Sequence, residues 1–267
     1  MSLVSRVPTQ AQLNNLLEYY QTSRFGNAEK LAISLTKEFP EHQLGWKVLG
    51  IVLKKTGRLS GSLVANQRSL QLDPQDAEAH NNLANTLKDL GRLDEAEASY
   101  KQAIVFKLDY AEAHNNLGAI LIELGRLDEA KLRCSKAIAL KPDFAEAHYN
   151  LGNTLQGLIR LDEAEVSYKR AIALSPDYSD AYNNLGVTLK KLGKPEEAEI
   201  NYRQAITIKP DYAEAFSNLG NVLQELGRME DSEVNCRKSI ALNSNYAEAH
   251  NNLGNTLQEL GRLEEAK

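Results

Sequence analysis

Apolar residues return along this chain with a period of 34 positions, and that period sets the elements before any single motif does. With frames opened at Gln43, Ala77, Ala111, Ala145, Ser179, Ala213 and Ala247, leucine occupies place 7 of every frame, from Leu49 and Leu83 to Leu253. It also occupies place 11, from Leu53 to Leu257. Within a frame the apolar places 3, 4, 7, 8, 11 and 14 share one face at roughly 100° per residue, which predicts an amphipathic helix A over the first fourteen places. Gly91, Gly125, Gly193, Gly227 and Gly261 follow it, where a helix end favours a residue tolerant of positive φ. A second helix, B, then begins at Leu-Asp-Glu-Ala. It carries Ala96, Tyr100, Ala103 and Ile104 at i, i+4, i+7 and i+8, and stops at the proline of Lys-Pro-Asp. Pro40, Pro74, Pro142, Pro176 and Pro210 all stand at place 32.

The frames divide the chain into an extension at 1–8, a divergent repeat at 9–42, full repeats at 43–76, 77–110, 111–144, 145–178, 179–212 and 213–246, and a truncated repeat at 247–267. Acidic residues three apart, Asp109 with Glu112, Asp143 with Glu146 and Asp211 with Glu214, have the spacing of reciprocal capping boxes for each helix A. Ile159 breaks the glycine column, so that turn must deviate or store strain, with Gly157 nearby to ease it and to remove a side chain from the groove. Lys267 falls just after Ala266, the first core alanine of a helix B. The expectation is therefore that the last helix A is a makeshift cap with Leu253 and Leu257 partly uncovered, a surface for fraying or end-to-end self-association.

These columns resemble the tetratricopeptide repeat. The frame from Ala145 places His148, Leu151, Gly152, Leu155, Ala164, Tyr168, Ala171 and Pro176 in the family's consensus positions. The frame from Gln43 matches with Trp46, Leu49, Gly50, Leu53 and Pro74, and puts polar Ser62, Asn66 and Ser69 where the family has alanine and an aromatic residue. The resemblance implies an all-α fold, a right-handed superhelical solenoid of antiparallel helix pairs with helix A lining an inner groove. One pair cannot bury its apolar face alone, and stacked neighbours can.

Composition narrows the function. Lys and Arg number 31 against 36 Asp and Glu, so the charge of −5 provides no electrostatic footprint for nucleic acid or an anionic membrane. No run approaches a membrane span and the first residues lack the apolar core of a signal peptide, which reads as a cytoplasmic chain. His80, His114, His148 and His250 share place 4 with Trp46, Tyr182 and Phe216, a packing slot and not a metal set. Cys134 and Cys236 stand in the aromatic slot of helix B three frames apart, too far to bridge, and read as buried thiols. Asp94-Glu95, Asp128-Glu129 and Asp162-Glu163 begin helix B, where carboxylates complement the helix dipole. No catalytic constellation, metal site or cofactor site follows from these residues, so no enzyme is expected within them.

One column has no propensity reason to recur. Place 6 is Asn82, Asn116, Asn150, Asn184, Asn218 and Asn252, while Val48 interrupts it earlier; Asn85, Asn153, Asn221 and Asn255 widen it at place 9. On the helical wheel these amides lie opposite the apolar stripe, and each offers both donor and acceptor to the backbone of an extended peptide. The asparagines could instead bridge neighbouring helices. The ladder is similar to that of the tetratricopeptide superhelix of protein O-linked N-acetylglucosamine transferases, in which asparagines at this repeat place hold substrate main chain. The clamp for chaperone carboxylates, which needs Lys or Arg at places 2, 5 and 6, is absent: place 2 is Glu78, Glu112, Glu146, Asp180, Glu214 and Glu248. The expected function is a protein-interaction scaffold holding extended, neutral or basic peptides. The alternative is the substrate-docking region of a larger transferase whose catalytic domain lies beyond residue 267. Six amides at ~1 kcal/mol net each give about 6 kcal/mol before ordering costs, hence micromolar or weaker binding.

Overall fold

The structure is a computed structural model that describes residues 7–262 and 264. Among these the elements are fifteen α-helices and no strand, and the chain forms two compact units, Met1–Ile120 and Leu121–Lys267. The first holds α1 (Gln10–Gln21), α2 (Phe25–Glu38), α3 (Gln43–Lys55), α4 (Leu59–Leu72), α5 (Ala77–Asp89) and α6 (Leu93–Phe106), with α7 (Ala111–Glu123) running across the division. The second holds α8 (Leu127–Leu140), α9 (Ala145–Gly157), α10 (Leu161–Leu174), α11 (Ser179–Lys191), α12 (Pro195–Ile208), α13 (Ala213–Glu225), α14 (Met229–Leu242) and α15 (Ala247–Glu259). From α3 onward each helix A runs from place 1 to place 13, with place 14 as its C-cap, and the three-residue links to helix B make the pair an antiparallel hairpin. Within each unit a helix A packs on its own helix B and on the helix B before it, as α5 does on α6 and α4 and α11 does on α12 and α10.

Small residues let these helices approach. Ala164, Ala171, Ala198 and Ala205 on helix B are wholly buried, and so are the large side chains between them, Tyr168 and Tyr202. Each tyrosine ring lies over the glycine at place 8 of its partner helix. A Cβ on Gly152 would come within 2.6 Å of Tyr168 Cε1, and one on Gly186 within 2.6 Å of Tyr202 Cε1. Where the slot is polar the groups are largely satisfied: Ser62 Oγ donates to Gly50 O at 2.7 Å and pairs with Thr86 Oγ1, which also accepts from Asn66 Nδ2 at 3.0 Å. The same exchange recurs with Ser232 Oγ, 2.8 Å from Gly220 O and 2.8 Å from Thr256 Oγ1.

The turns follow the glycine column. Gly57, Gly91, Gly125, Gly193, Gly227 and Gly261 all have φ between 71° and 76°, as the left-handed C-terminal turn requires. Ile159 takes φ 59° in the same turn and Ser23 takes φ 57°. The turn therefore keeps its shape and Ile159 carries the strain, with its side chain 81% exposed. Gly157 does not open a groove. The Cβ it lacks would meet Leu127 Cδ1 of α8 at 2.9 Å, so the position faces a neighbouring helix.

Two further expectations need correction. The acidic boxes do not form at Asp143 and Asp211, because the N-caps of α9 and α13 are the next residues, Phe144 and Tyr212, which make no side-chain cap bond. Those rings instead receive the lysine of Lys-Pro-Asp, with Lys141 Nζ 4.8 Å from the Phe144 centroid and Lys209 Nζ 4.5 Å from that of Tyr212. Where place 34 is itself acidic, capping occurs: Asp76 accepts from Glu78 N and Ala79 N. A full capping box occurs at Thr9 with Gln12. Secondly, Leu257 is 1% exposed and not uncovered, since α15 packs on both α13 and α14, whereas Leu253 is half-buried. Ala266 lies outside the described residues.

Candidate functional site

All six place-6 asparagines are half-buried, and the Nδ2 bonds of four of them join one repeat to the one before. Asn116 Nδ2 donates to Asn81 Oδ1 at 3.2 Å and to Asn85 Oδ1 at 3.4 Å. Asn184 Nδ2 donates to Tyr149 OH at 3.1 Å and Asn153 Oδ1 at 2.9 Å, Asn218 Nδ2 to Asn183 Oδ1 at 3.0 Å, and Asn252 Nδ2 to Ser217 Oγ at 3.1 Å. The acceptor is thus the place-5 side chain of the preceding helix A in every one of these four cases. Asn150 is half-buried at the equivalent position, its carbonyl accepting from Thr154 Oγ1 at 2.7 Å. The side chain of Asn82 makes no hydrogen bond to a described residue, although its carbonyl accepts from Thr86 Oγ1.

The amide is only half used by this bridging. No described residue donates to Oδ1 of Asn116, Asn218 or Asn252, whereas Oδ1 of Asn184 accepts from Asn183 Nδ2 at 3.2 Å. Place 9 behaves differently. Asn85 Oδ1 accepts the Tyr100 hydroxyl at 2.6 Å and Asn153 Oδ1 that of Tyr168 at 2.8 Å, so these two asparagines anchor the slot tyrosine of their own hairpin. Asn221 Oδ1 accepts from Lys190 Nζ, and Asn255 is exposed. In the second unit Asn218, Asn221, Asn251 and Asn252, with Ala247 and Glu248, line an open cavity of ≈ 500 Å³. Asn251 stands at place 5, which the sequence columns do not single out because it varies between Lys, Asn, Tyr and Ser.

The edge beside the ladder is electronegative. Glu146, Glu214 and Glu248 are exposed in the first turns of α9, α13 and α15, and Asp180 is half-buried in that of α11. Neighbouring phenols register that field. Burial, then the charges of Glu78, Glu112 and Asp76, push Tyr110 up to about 12. Burial and nearby carboxylates also raise Tyr178, Tyr212 and Tyr246. In the first unit Lys47 offsets part of this charge, bonding Asp76 at 2.9 Å and Glu78 at 2.5 Å.

The histidines of place 4 close turns. His80 Nε2 donates to Pro74 O at 2.9 Å, His148 Nε2 to Pro142 O at 3.1 Å and His250 Nε2 to Ser244 O at 2.9 Å, and Trp46 Nε1 does the same to Pro40 O at 2.9 Å. Among the described residues no group of three or more His, Cys, Asp or Glu is placed to hold a metal. Cys134 and Cys236 are buried and unbridged, and burial pushes the Cys134 thiol up to about 12. No described helix is long and apolar enough to cross a membrane.

Known proteins agree with this architecture. The tetratricopeptide repeat profiles match residues 65–98, 143–211, 213–243 and 235–267, and the TPR repeat profile matches 84–125 and 118–158. No curated protein matches the chain by sequence. Among solved structures, a chain of the APC/C hetero-tetramer Cut9-Hcn1 superposes with a TM-score of 0.82 at 18% identity over 94% of this chain and 49% of that one. The present chain therefore spans about half the length of that relative. PilF of Pseudomonas aeruginosa matches with a TM-score of 0.70 at 19% identity, over 78% and 95% of the two chains. YrrB, described as a TPR protein with an unusual peptide-binding site, matches with a TM-score of 0.55 at 24% identity, over 69% and 95%. These likenesses establish the fold, and with the repeat profiles and the 34-residue columns they place the chain in the tetratricopeptide repeat family.

Proposed function

We propose that this chain is a protein-interaction scaffold that binds extended peptide segments along its helix-A faces through the asparagine column. The observation that carries this reading is the half-used amide. Nδ2 of Asn116, Asn218 and Asn252 is fixed by the preceding repeat while Oδ1 accepts nothing from the described residues, so the carbonyl is held at a set orientation for the N–H of a guest backbone. A preoriented acceptor costs little ordering on binding. The open cavity at Asn218, Asn221, Asn251 and Asn252 is where such a segment has room. Glu248 lines that cavity, and Glu146, Asp180 and Glu214 stand in the first turns of the other helices A of this unit, so neutral or basic peptides are favoured over acidic ones. The peptide-binding site named for YrrB, a relative in fold, is consistent with this use. Catalysis is no part of the proposal.

The test separates binding from bridging. Asn82→Ala removes an amide with no internal bond, and Asn252→Ala removes one that also bridges. Ser217→Ala removes one of the two acceptors of Asn252 Nδ2 and keeps the other, the Ser217 backbone carbonyl at 3.4 Å, which still orients the Asn252 carbonyl. On an array of extended peptides, Asn82→Ala and Asn252→Ala are expected to weaken binding by about 0.5–1.5 kcal/mol each, roughly two- to tenfold. Ser217→Ala is expected to bind like wild type. Equal binding by all three would refute the proposal, as would a preference for acidic peptides.

A further inference from the structure

The opposite helices of the second unit display a surface that peptide binding leaves unused. Place 22 of helix B is aliphatic in four successive repeats, and Leu132, Val166, Ile200 and Val234 are 65–68% exposed. On the same helices Ala130, Ala164, Ala198 and Ser232, two positions earlier, are wholly buried. Single exposed aliphatic residues are ordinary. Four at one place of neighbouring helices make a row, because successive helices B are tied side by side. Glu165 bonds Lys194 at the start of α12 at 2.9 Å, and Glu199 bonds Arg228 at the start of α14 at 2.8 Å.

Charged rows flank the apolar one. One turn earlier, at place 18, Asp128, Asp162, Glu196 and Glu230 are exposed and enter no ion pair among the described residues. One turn later, at place 26, stand Lys136, Arg170, Gln204 and Lys238, also exposed and unpaired. Positions i, i+4 and i+8 share a helix face. Several other charges of these helices are paired internally, Arg160 with Glu163, Glu165 with Lys169 and Arg237 with Glu233. The four helices thus carry an ordered, unpaired stripe of acid, aliphatic and base.

We propose that this stripe is a homodimer interface whose occupant is the same stripe on a second copy. A two-fold axis lying in the interface along the row pairs each helix B antiparallel with its own counterpart. It sets Val166 against Val166 and Ile200 against Ile200 of the second copy, and lays each acidic row on the other copy's basic row. Asp162 then meets Arg170, Asp128 meets Lys136, and Glu230 meets Lys238. Row spacing matches by construction, since both partners have the same repeat. The other two-fold arrangement, with its axis along the helices, would oppose acid to acid, so charge selects the antiparallel one. The first unit lacks the pattern: Val64 is exposed, but place 18 is Ser60 there, Arg68 is paired with Glu41 at 2.5 Å, and the next repeat has Ala98 at place 22.

Sedimentation equilibrium of the 267-residue chain from about 1 to 200 µM tests this. Wild type is expected to dimerise in that range, and Ile200→Glu to weaken the dimer by about tenfold or more. Asp162→Lys and Arg170→Glu are each expected to stay monomeric, since both oppose like charges twice. Mixed in equal amounts they are expected to regain a heterodimer, because each then presents the sign the other lacks. Circular dichroism melts establish that these exposed-site variants are folded, and the mixture reports on pairing even if Ile200→Glu folds poorly. A wild type that remains monomeric throughout overturns the proposal, as does failure of the mixture to associate. Association that survives Ile200→Glu and is lost on changing the exposed face of α15 overturns it too.

Discussion

Replacing Ile159 by glycine is expected to stabilise the second unit. Ile159 is held at φ 59° in a turn whose other occupants in that unit are glycines at φ 71–75°. A left-handed conformation costs an L-residue about 1–2 kcal/mol, and β-branching places isoleucine at the upper end. Because its side chain is 81% exposed, almost no burial is lost with it. Glycine adds unfolded-chain entropy worth about 0.4–1 kcal/mol against the folded state. The difference leaves about 1 kcal/mol in favour of Ile159→Gly. In urea, with a slope of about 2 kcal/mol/M, the unfolding midpoint should rise by about 0.5 M. The reciprocal change is the control: Gly193 has φ 72° and open space where a Cβ would stand, so Gly193→Ile should cost a similar amount through backbone strain and not through collision. A midpoint that falls in Ile159→Gly, or stays put in Gly193→Ile, would refute the strain argument.

Three further outcomes are expected. Tyr168→Phe should cost about 1 kcal/mol, since its hydroxyl donates to Asn153 Oδ1 at 2.8 Å, whereas Tyr202→Phe should cost much less because the Tyr202 hydroxyl makes no hydrogen bond to a described residue; equal losses in urea would show that the bond to Asn153 contributes nothing. Cys134 and Cys236 should resist a thiol reagent at pH 8 in the folded protein and react once urea unfolds it, as burial raises both thiols, Cys134 up to about 12; fast labelling of the native chain would contradict their burial. Hydrogen bonds from Lys169 and Lys194 hold the Glu165 carboxyl below its ordinary range, and those from Arg237 and Arg262 do the same for Glu233. A carboxylate lowered in the folded state contributes stability above its unfolded value, near pH 4.3, and loses it as pH falls through the folded value. Stability should therefore decline from about pH 5 downward by about 0.2–1 kcal/mol per exposed pair, less steeply in Glu165→Gln, and an identical decline in that variant would rule these pairs out as its source.

The periodic columns made most of the fold legible. Places 7 and 11 identified the apolar face of each helix A, and the glycines at place 15 fixed the turn that φ values of 71–76° display. Even the exception was readable, because isoleucine in a column of glycines is a local conflict. Caps were misread for the opposite reason. Asp143 and Glu146 have the spacing of a box, but which residue becomes the N-cap depends on where the turn hands over to the helix. Phe144 occupies that place with its ring held by Lys141.

The candidate site was legible only as a list of amides. Their recurrence at one place follows from the repeat, and so does their lying on a common helix face, since both depend on spacing along a helix of fixed pitch. Which hydrogen-bonding atoms remain available depends on the neighbouring hairpin, and the sequence does not contain that distance. Stacking commits Nδ2 of Asn116, Asn184, Asn218 and Asn252 to the repeat before, and commits Asn85 and Asn153 to Tyr100 and Tyr168. It also leaves Leu132, Val166, Ile200 and Val234 at the surface, although their hydrophobicity alone would assign them to the core. Local periodicity determined the helices and their faces; only packing between them decided which polar atoms were spent and which apolar side chains were left outside.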